Sequence, residues 1–332
     1  MTPMVKMKNL PVYLFLTFVI IALMTNSVFS LQRLEITVST DKSSYGYRES
    51  VTVCGNVTFD GQPVENGLVG IQIEDPANRT IVLRTVPAGE TPSASWQVEV
   101  ISIISCDGSG DPKSDFNRKT FAYFKATVKN NDINSRNALV SINIYDIDFT
   151  PMGIAWEQQV IPPNGQTTFM PAIYLDEWVS TGSALACANV YTDWPKNNGY
   201  SYCPEKTANF TITTTTAAAY LNEPAQTDGY YEGTFRVPPE EAPYSGTYFV
   251  AVGAWSVGWK AFQNTTFTVE YQVPADFDDN HEIEIYDVIK VTGIYGAKSG
   301  DPDWNPEIDL KPDGAIGIYD VVRVTGIYGT TY

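Results

Sequence analysis

The sequence predicts a mainly β protein: two seven-stranded β-sandwiches, one inserted in the other, followed by a small helical unit. Three observations lead there. The 332 residues include 24 Gly, 21 Pro, 20 Tyr and 15 Phe, and only 18% are charged; that mixture suits turn-rich sheets better than helical bundles. Short apolar–polar alternations recur between turn residues. Near the C-terminus, a 14-residue segment recurs after 33 residues, the mark of two copies of one unit. At about 150 residues per domain, the length gives two or three domains.

The N-terminus reads as an export signal, residues 1–30. Lys6 and Lys8 form a basic start, Leu10 to Met24 is largely apolar, and Val28 and Ser30 sit where a signal peptidase reads small residues. The apolar run is shorter than the roughly 20 residues of a spanning helix, so cleavage after Ser30 is favoured; an uncleaved anchor is the rival. No membrane span is expected after cleavage. Four sequons, at Asn56, Asn78, Asn209 and Asn264, suit an exported glycoprotein. In Val51–Val57, alternation turns Val51, Val53 and Val57 inward and Asn56 outward.

The first strands are Leu34–Ser39, Val51–Val57, Leu68–Glu74 and Ile81–Val86, with turns at Asp60-Gly61 and Pro76-Ala-Asn. Four strands are few for a sandwich. Three more of the same style, Tyr231–Val237, Thr247–Trp255 and Phe262–Tyr271, complete the seven usual for an immunoglobulin-like (Ig-like) sandwich. Between them lie seven others: Trp96–Ser105, Thr120–Lys129, Ala138–Phe149, Met152–Ile161, Thr167–Leu175, Ala184–Trp194 and Thr207–Thr213. The expected organisation is therefore an outer sandwich (31–90 plus 220–272) and an inserted adhesion-type sandwich (91–215), with Thr213–Ala219 as the exit linker. Two sandwiches in tandem, with a poorer strand count, are the alternative.

Two loose resemblances enter here. Ile36–Pro76, "ITVSTDKSSYGYRESVTVCGNVTFDGQPVENGLVGIQIEDP", resembles the Ig-like repeats of microbial surface proteins. Lys119–Thr213, with "FAYFKATVKNND" and "ANVYTDWP", is similar to the cell-adhesion-related domain of bacteria and archaea. Both imply noncatalytic surface modules.

In the duplication, "IEIYDVIKVTGIYG" (283–296) returns as "IGIYDVVRVTGIYG" (316–329), identical at 11 of 14 positions. An oxygen-rich stretch leads into each copy. Calcium is a hard cation that takes 6–8 oxygens, and a 12-residue loop supplies them at positions 1, 3, 5, 7, 9 and 12. In the first loop these are Asp276, Asp278, Asn280, the Glu282 carbonyl, Glu284 and Asp287. In the second they are Asp309, Asp313, the Ala315 carbonyl and Asp320. Ile283 and Ile316, at position 8, would pin each loop to a core. Lys311 occupies position 3 of the second loop, where an ammonium repels calcium, so the first site should bind more tightly. His281 stands where such loops often place Gly. The segments after the loops are rich in Val and Ile, poor helix formers alone; packing against each other would have to hold them.

Residues 274–332 resemble a calcium-binding dockerin domain (type I, archaeal), and "GDPDWNPEIDL" resembles the linker between archaeal dockerin-like repeats. The resemblance implies paired loop–helix units with EF-hand-like calcium loops that dock onto a cohesin-like domain. Dockerins commonly present small hydroxyl residues at loop positions 10 and 11. Here those positions hold Ile285-Tyr286 and Ile318-Tyr319, which makes intramolecular docking a second possibility.

The net charge of −17 argues against nucleic acid and anionic membranes. The single His lies in a calcium loop, which leaves no Ser-His-Asp or Cys-His mechanism. Two carboxylates could serve a glycosidase, but nothing marks Glu157, Asp176 or Glu177 for that role. Trp178, Tyr191, Trp194, Tyr200, Tyr202, Trp255 and Trp259 could stack on sugars or fill cores and rims. Export favours disulfides among the four Cys; Cys106–Cys203 is the expected pair, with Cys54 bonded across domains or free. The resulting expectation is a noncatalytic, exported cell-surface or scaffold protein with a calcium-dependent docking module. A carbohydrate-binding accessory of a polysaccharide-degrading, cellulosome-like assembly is the alternative, with a polysaccharide or surface glycan as ligand.

Overall fold

A computed structural model describes residues 33–90, 95–213, 228–238, 245–269, 275–278, 280, 282–305, 308–311 and 314–329. The expected signal segment, residues 214–219 of the exit linker, His281 and Asp313 lie outside the described residues. The chain is mainly β. Before the long excursion come β1 (Leu34–Ile36), β2 (Ser39–Thr40), β3 (Ser44–Tyr45), β4 (Ser50–Phe59), β5 (Gln62–Pro63), β6 (Asn66–Glu74) and β7 (Thr80–Gly89). The middle holds β8 (Val98–Cys106), β9 (Asp115–Asn117), β10 (Phe121–Asn130), β11 (Arg136–Tyr145), β12 (Pro151–Ile161), β13 (Gln166–Phe169), β14 (Ala172–Tyr174), β15 (Gly182–Tyr191) and β16 (Lys206–Thr213). Then follow β17 (Tyr230–Arg236), β18 (Gly246–Ser256), β19 (Trp259–Val269), α1 (Ile285–Gly293) and α2 (Ile318–Gly326).

Strands from the two ends of the β region share sheets. β17 pairs antiparallel with β4, which also carries β1, β2 and β5; the second sheet runs β3-β19-β18-β6-β7. Alternation along β4 buries Val51, Val53 and Val57 and exposes Asn56. Those valines meet Ile71, Ile73, Tyr231, Phe235, Val250, Val252 and Phe267 in one core.

The middle strands form two further sheets, β12-β11-β15-β16-β9 and one in which β10 pairs with β8 on one side. On its other side β10 meets β13 and β14. The segment expected as one strand, Thr167–Leu175, is split. Pro171 has no N–H for a ladder, and its carbonyl accepts the Phe124 N–H instead. The core between these sheets is built around Phe116, Phe124 and Phe210, with ring centroids 5.0–6.2 Å apart.

A polar seam joins the two sets of sheets. β7 is the edge of its sheet, and an edge leaves backbone groups without ladder partners. Side chains from the middle region take them. Leu83 N–H donates to Asn143 Oδ1 (2.9 Å). Asn143 Nδ2 donates to the Ile81 carbonyl and Asn189 Nδ2 to the Leu83 carbonyl, both at 3.3 Å. Arg84 forms a buried ion pair with Glu205, Nε to Oε2 2.8 Å, and lies over the Tyr145 ring. Two glycines in the same sheet, Gly70 on β6 and Gly253 on β18, stand in register. A Cβ on Gly70 would lie 2.6 Å from Tyr191 Cε1, and one on Gly253 would lie 2.3 Å from the Gly199 carbonyl oxygen. The missing Cβ atoms let the 3-10 turn Pro195–Asn197 lie against β6 and β18.

The expected Cys106–Cys203 bridge is not formed; both are free, buried thiols. The Cys203 sulfur accepts from the Val100 backbone N–H, whereas Cys106 ends the same strand six residues on. At about 3.3 Å per residue, that places them roughly 20 Å apart, far beyond disulfide reach.

The C-terminal unit has its own core: Ala275, Ile283, Val291, Ile308, Leu310, Ile316 and Val324. Both helices are nine residues long and end at their glycines, Gly293 and Gly326. Nine residues are too few for a helix stable alone in water. Tertiary packing through Val291 and Val324, both fully buried, holds them.

Candidate metal centre

The centre is built on the loop that ends in α1. Asp287 is the third residue of the helix and fully buried. Its carboxylate accepts the Phe277 N–H (2.7 Å) and the Glu284 N–H (2.9 Å), tying the start of the loop to the helix N-terminus. Asp276 Oδ1 accepts the Asn280 N–H, and Asn280 Oδ1 accepts the Glu282 N–H. These bonds curl the loop so that carboxylate oxygens of Asp276, Asp278 and Asp287 lie within 4.8 Å of one another. The Asp278 carboxyl is pushed above its ordinary range, first by desolvation, then by its hydrogen bond with Asp276 and the charge of Asp287. Crowded carboxylates of one sign are what a hard divalent cation would relieve. The oxygen donors of this loop therefore fit calcium. Glu282 and Glu284 are exposed.

The second loop has a similar frame and a different charge balance. Asp320, also buried, accepts the Lys311 N–H (3.0 Å) and the Gly317 N–H (2.6 Å). Asp309 Oδ2 accepts the Gly314 N–H (2.7 Å), and Ala315 bridges to Lys298. Among the described residues, three acids come together in the first loop and not in the second. The Lys311 ammonium sits 4.1 Å from the centroid of the Tyr319 ring.

The two loops are joined by a reciprocal pair of hydrogen bonds. Gly296 N–H donates to the Ile316 carbonyl (2.8 Å), and its counterpart Gly329 donates to the Ile283 carbonyl (2.7 Å). Each donor and acceptor is displaced by the 33-residue period, so the unit has an approximate two-fold arrangement. Ile283 and Ile316 are buried, the pinning role their position 8 implied. The same operation relates four exposed apolar residues, Ile285, Tyr286, Ile289 and Tyr295, to Ile318, Tyr319, Val322 and Tyr328, also exposed. Sequence reasoning singled out only Ile285-Tyr286 and Ile318-Tyr319. The signal for the rest was duplication of apolar side chains at positions that the small core does not use.

Elsewhere the structure scatters the other candidates. Glu157, Asp176 and Glu177 are exposed, and Glu177 pairs with Lys119. Tyr191 is fully buried and cannot be a sugar platform. Trp178 and Tyr202 pack against the core of the middle sheets, Trp255 against Trp96, and Trp259 against Phe59. Tyr200 lies beneath the Lys260 ammonium. Trp194 meets Trp156 edge to face at 5.2 Å, and Trp156 is the more exposed partner. All four sequon asparagines, Asn56, Asn78, Asn209 and Asn264, are exposed.

No family model matches the chain, and no curated protein matches it. Similarity to solved structures is slight. An alkylpurine DNA glycosylase, AlkC, of Pseudomonas fluorescens is 9% identical over 36% of this chain and 32% of its own, with a TM-score of 0.27. Red sea bream transglutaminase is 11% identical over 54% and 32%, at 0.25. A β-glucuronidase of Bacteroides uniformis is 8% identical over 50% and 26%, at 0.27. This chain thus spans about a third or less of each. Likenesses this weak carry no argument about its function.

Proposed function

We propose that the chain is a noncatalytic, exported surface or scaffold protein. Its C-terminal unit is a calcium-dependent docking module, as the dockerin resemblance implies, and its Ig-like and adhesion-type sheets bear the binding or adhesive face. One observation carries this reading: the duplicated loop–helix unit gathers Asp276, Asp278 and Asp287 beside a helix N-terminus. Calcium held there would tie the loop to α1 and fix the apolar residues that α1 presents. Those residues, with their counterparts on α2, form a surface suited to a largely apolar partner such as a cohesin-like domain, or to a site elsewhere on this chain.

Calorimetric titration of calcium into the full chain tests the reading. Saturable binding is expected in the wild type and its loss in the Asp276→Ala, Asp287→Ala double variant. No heat at calcium on the order of 1 mM, the weak end for extracellular modules, would overturn it. A second reading rests on Trp156, exposed beside Trp194 on the edge strand β12: a carbohydrate-binding accessory module. Binding on a glycan array that Trp156→Ala abolishes would favour it.

A further inference from the structure

We infer that the module takes one calcium ion, in the first loop, and that the second loop is closed by the chain's own cations, Lys311 and Arg323. This rests on the calcium reading above and goes beyond it. The two-fold relation makes each loop the control for the other. Position 3 is Asp278 in the first and Lys311 in the second, so one copy gains a carboxylate where the other gains an ammonium. The replacement reverses the charge at a position where a cation-binding loop would place a ligand.

The structure shows where the second loop's cations go. Lys311 Nζ lies over the ring of Tyr319, at loop position 11, a cation–π contact at 4.1 Å. Its backbone N–H is donated to Asp320, the residue that would hold a metal at position 12. Arg323, on α2, donates from Nη1 to the Leu310 carbonyl at 2.6 Å, joining the helix to the start of the loop. Among the described residues, its counterpart in the first copy, Lys290, makes no such link; its ammonium lies over the Tyr286 ring at 5.1 Å. Both copies tie loop to helix through the buried Asp287 or Asp320, and the second adds a guanidinium for which the first, among the described residues, has no equivalent. A carbonyl satisfied by a charged donor is a strong tie, and it needs no metal.

The test is the calcium stoichiometry of the full chain, by calorimetry and native mass spectrometry, with far-ultraviolet circular dichroism as the folding control. The wild type should bind one ion. Asp278→Lys, which gives the first loop the second loop's residue, should bind none. Lys311→Asp should bind two; because it gains a site, loss of folding cannot mimic it. Two ions in the wild type would overturn the inference and leave the calcium reading standing. So would one ion retained by Asp278→Lys, or one ion in Lys311→Asp. No ion in the wild type would overturn both readings together.

Discussion

Arg84 and Glu205 are buried with side chains 6% and 7% exposed, and the Arg84 Nε–H is shared between the two carboxylate oxygens, at 3.0 and 2.8 Å. Glu205 also accepts from Asn189 Nδ2 at 2.8 Å. Removing one member of such a pair leaves the other charge desolvated and uncompensated, which typically costs about 3–5 kcal/mol. Glu205→Leu should therefore destabilise the chain by that amount in urea unfolding. The double variant Arg84→Met, Glu205→Leu should recover much of the loss, because neither charge is then stranded. Cys203 gives a second expectation at this scale. Burial pushes its thiol from the usual 9 up to about 12, against the smaller opposing effect of the Val100 N–H. A thiol whose folded value is raised holds its proton longer in the folded than in the unfolded chain. Its stabilisation is full below pH 9 and is lost as pH rises from there towards 12. The slope approaches about 1.4 kcal/mol per pH unit. Cys203→Ala should flatten that part of the stability–pH curve; an unchanged curve would show that another group governs alkaline unfolding.

Among the elements, the contact of the Pro195–Asn197 turn with β6 and β18 depends on missing Cβ atoms. At Gly253 an added methyl would meet a backbone oxygen, not the movable end of a side chain. Gly253→Ala should cost about 1–3 kcal/mol through forced displacement of the turn. Gly293→Ala, where a Cβ meets open space, should cost nothing and serves as the control. Some of this architecture was legible in the sequence. The alternation of Val51, Val53 and Val57 against Asn56 marked β4, and the 12-residue spacing brought Asp276, Asp278 and Asp287 into one loop. Other features left no local trace. β3 and β9 are two and three residues long and pair in parallel with distant strands, so neither produces a periodic run. The Cys106–Cys203 expectation failed because it needed the register of β8, which alternation does not give. The contact of Lys311 with Tyr319 depends on side-chain direction, which spacing does not specify.

For the whole molecule, the seam along β7 decides how the chain unfolds. Leu83, Leu139 and Tyr191 form a small apolar cluster across it, and Asn143, Asn189 and Glu205 satisfy the β7 edge. Opening the seam would exchange the partners of Leu83 N–H, the Ile81 and Leu83 carbonyls and the Arg84 guanidinium for water at once and expose the apolar cluster. Such hydrogen bonds are worth about 0.5–1.5 kcal/mol each net of hydration, and those to charged groups about 1.5–3, so neither set of sheets gains by separating first. The C-terminal unit, with a separate core of seven buried residues, does not share that constraint. Scanning calorimetry should therefore show two transitions, one for β1–β19 and one for α1, α2 and their loops. Only the second should respond to calcium, rising by about 2.7 kcal/mol at a free concentration 100 times the dissociation constant. A chelator should return it to its starting point, and Asp276→Ala with Asp287→Ala should make it indifferent to both. Three transitions would mean that the seam opens before either core melts. A single transition that moves as a whole with calcium would mean that the module is docked on the sheets, the intramolecular form of the proposed function.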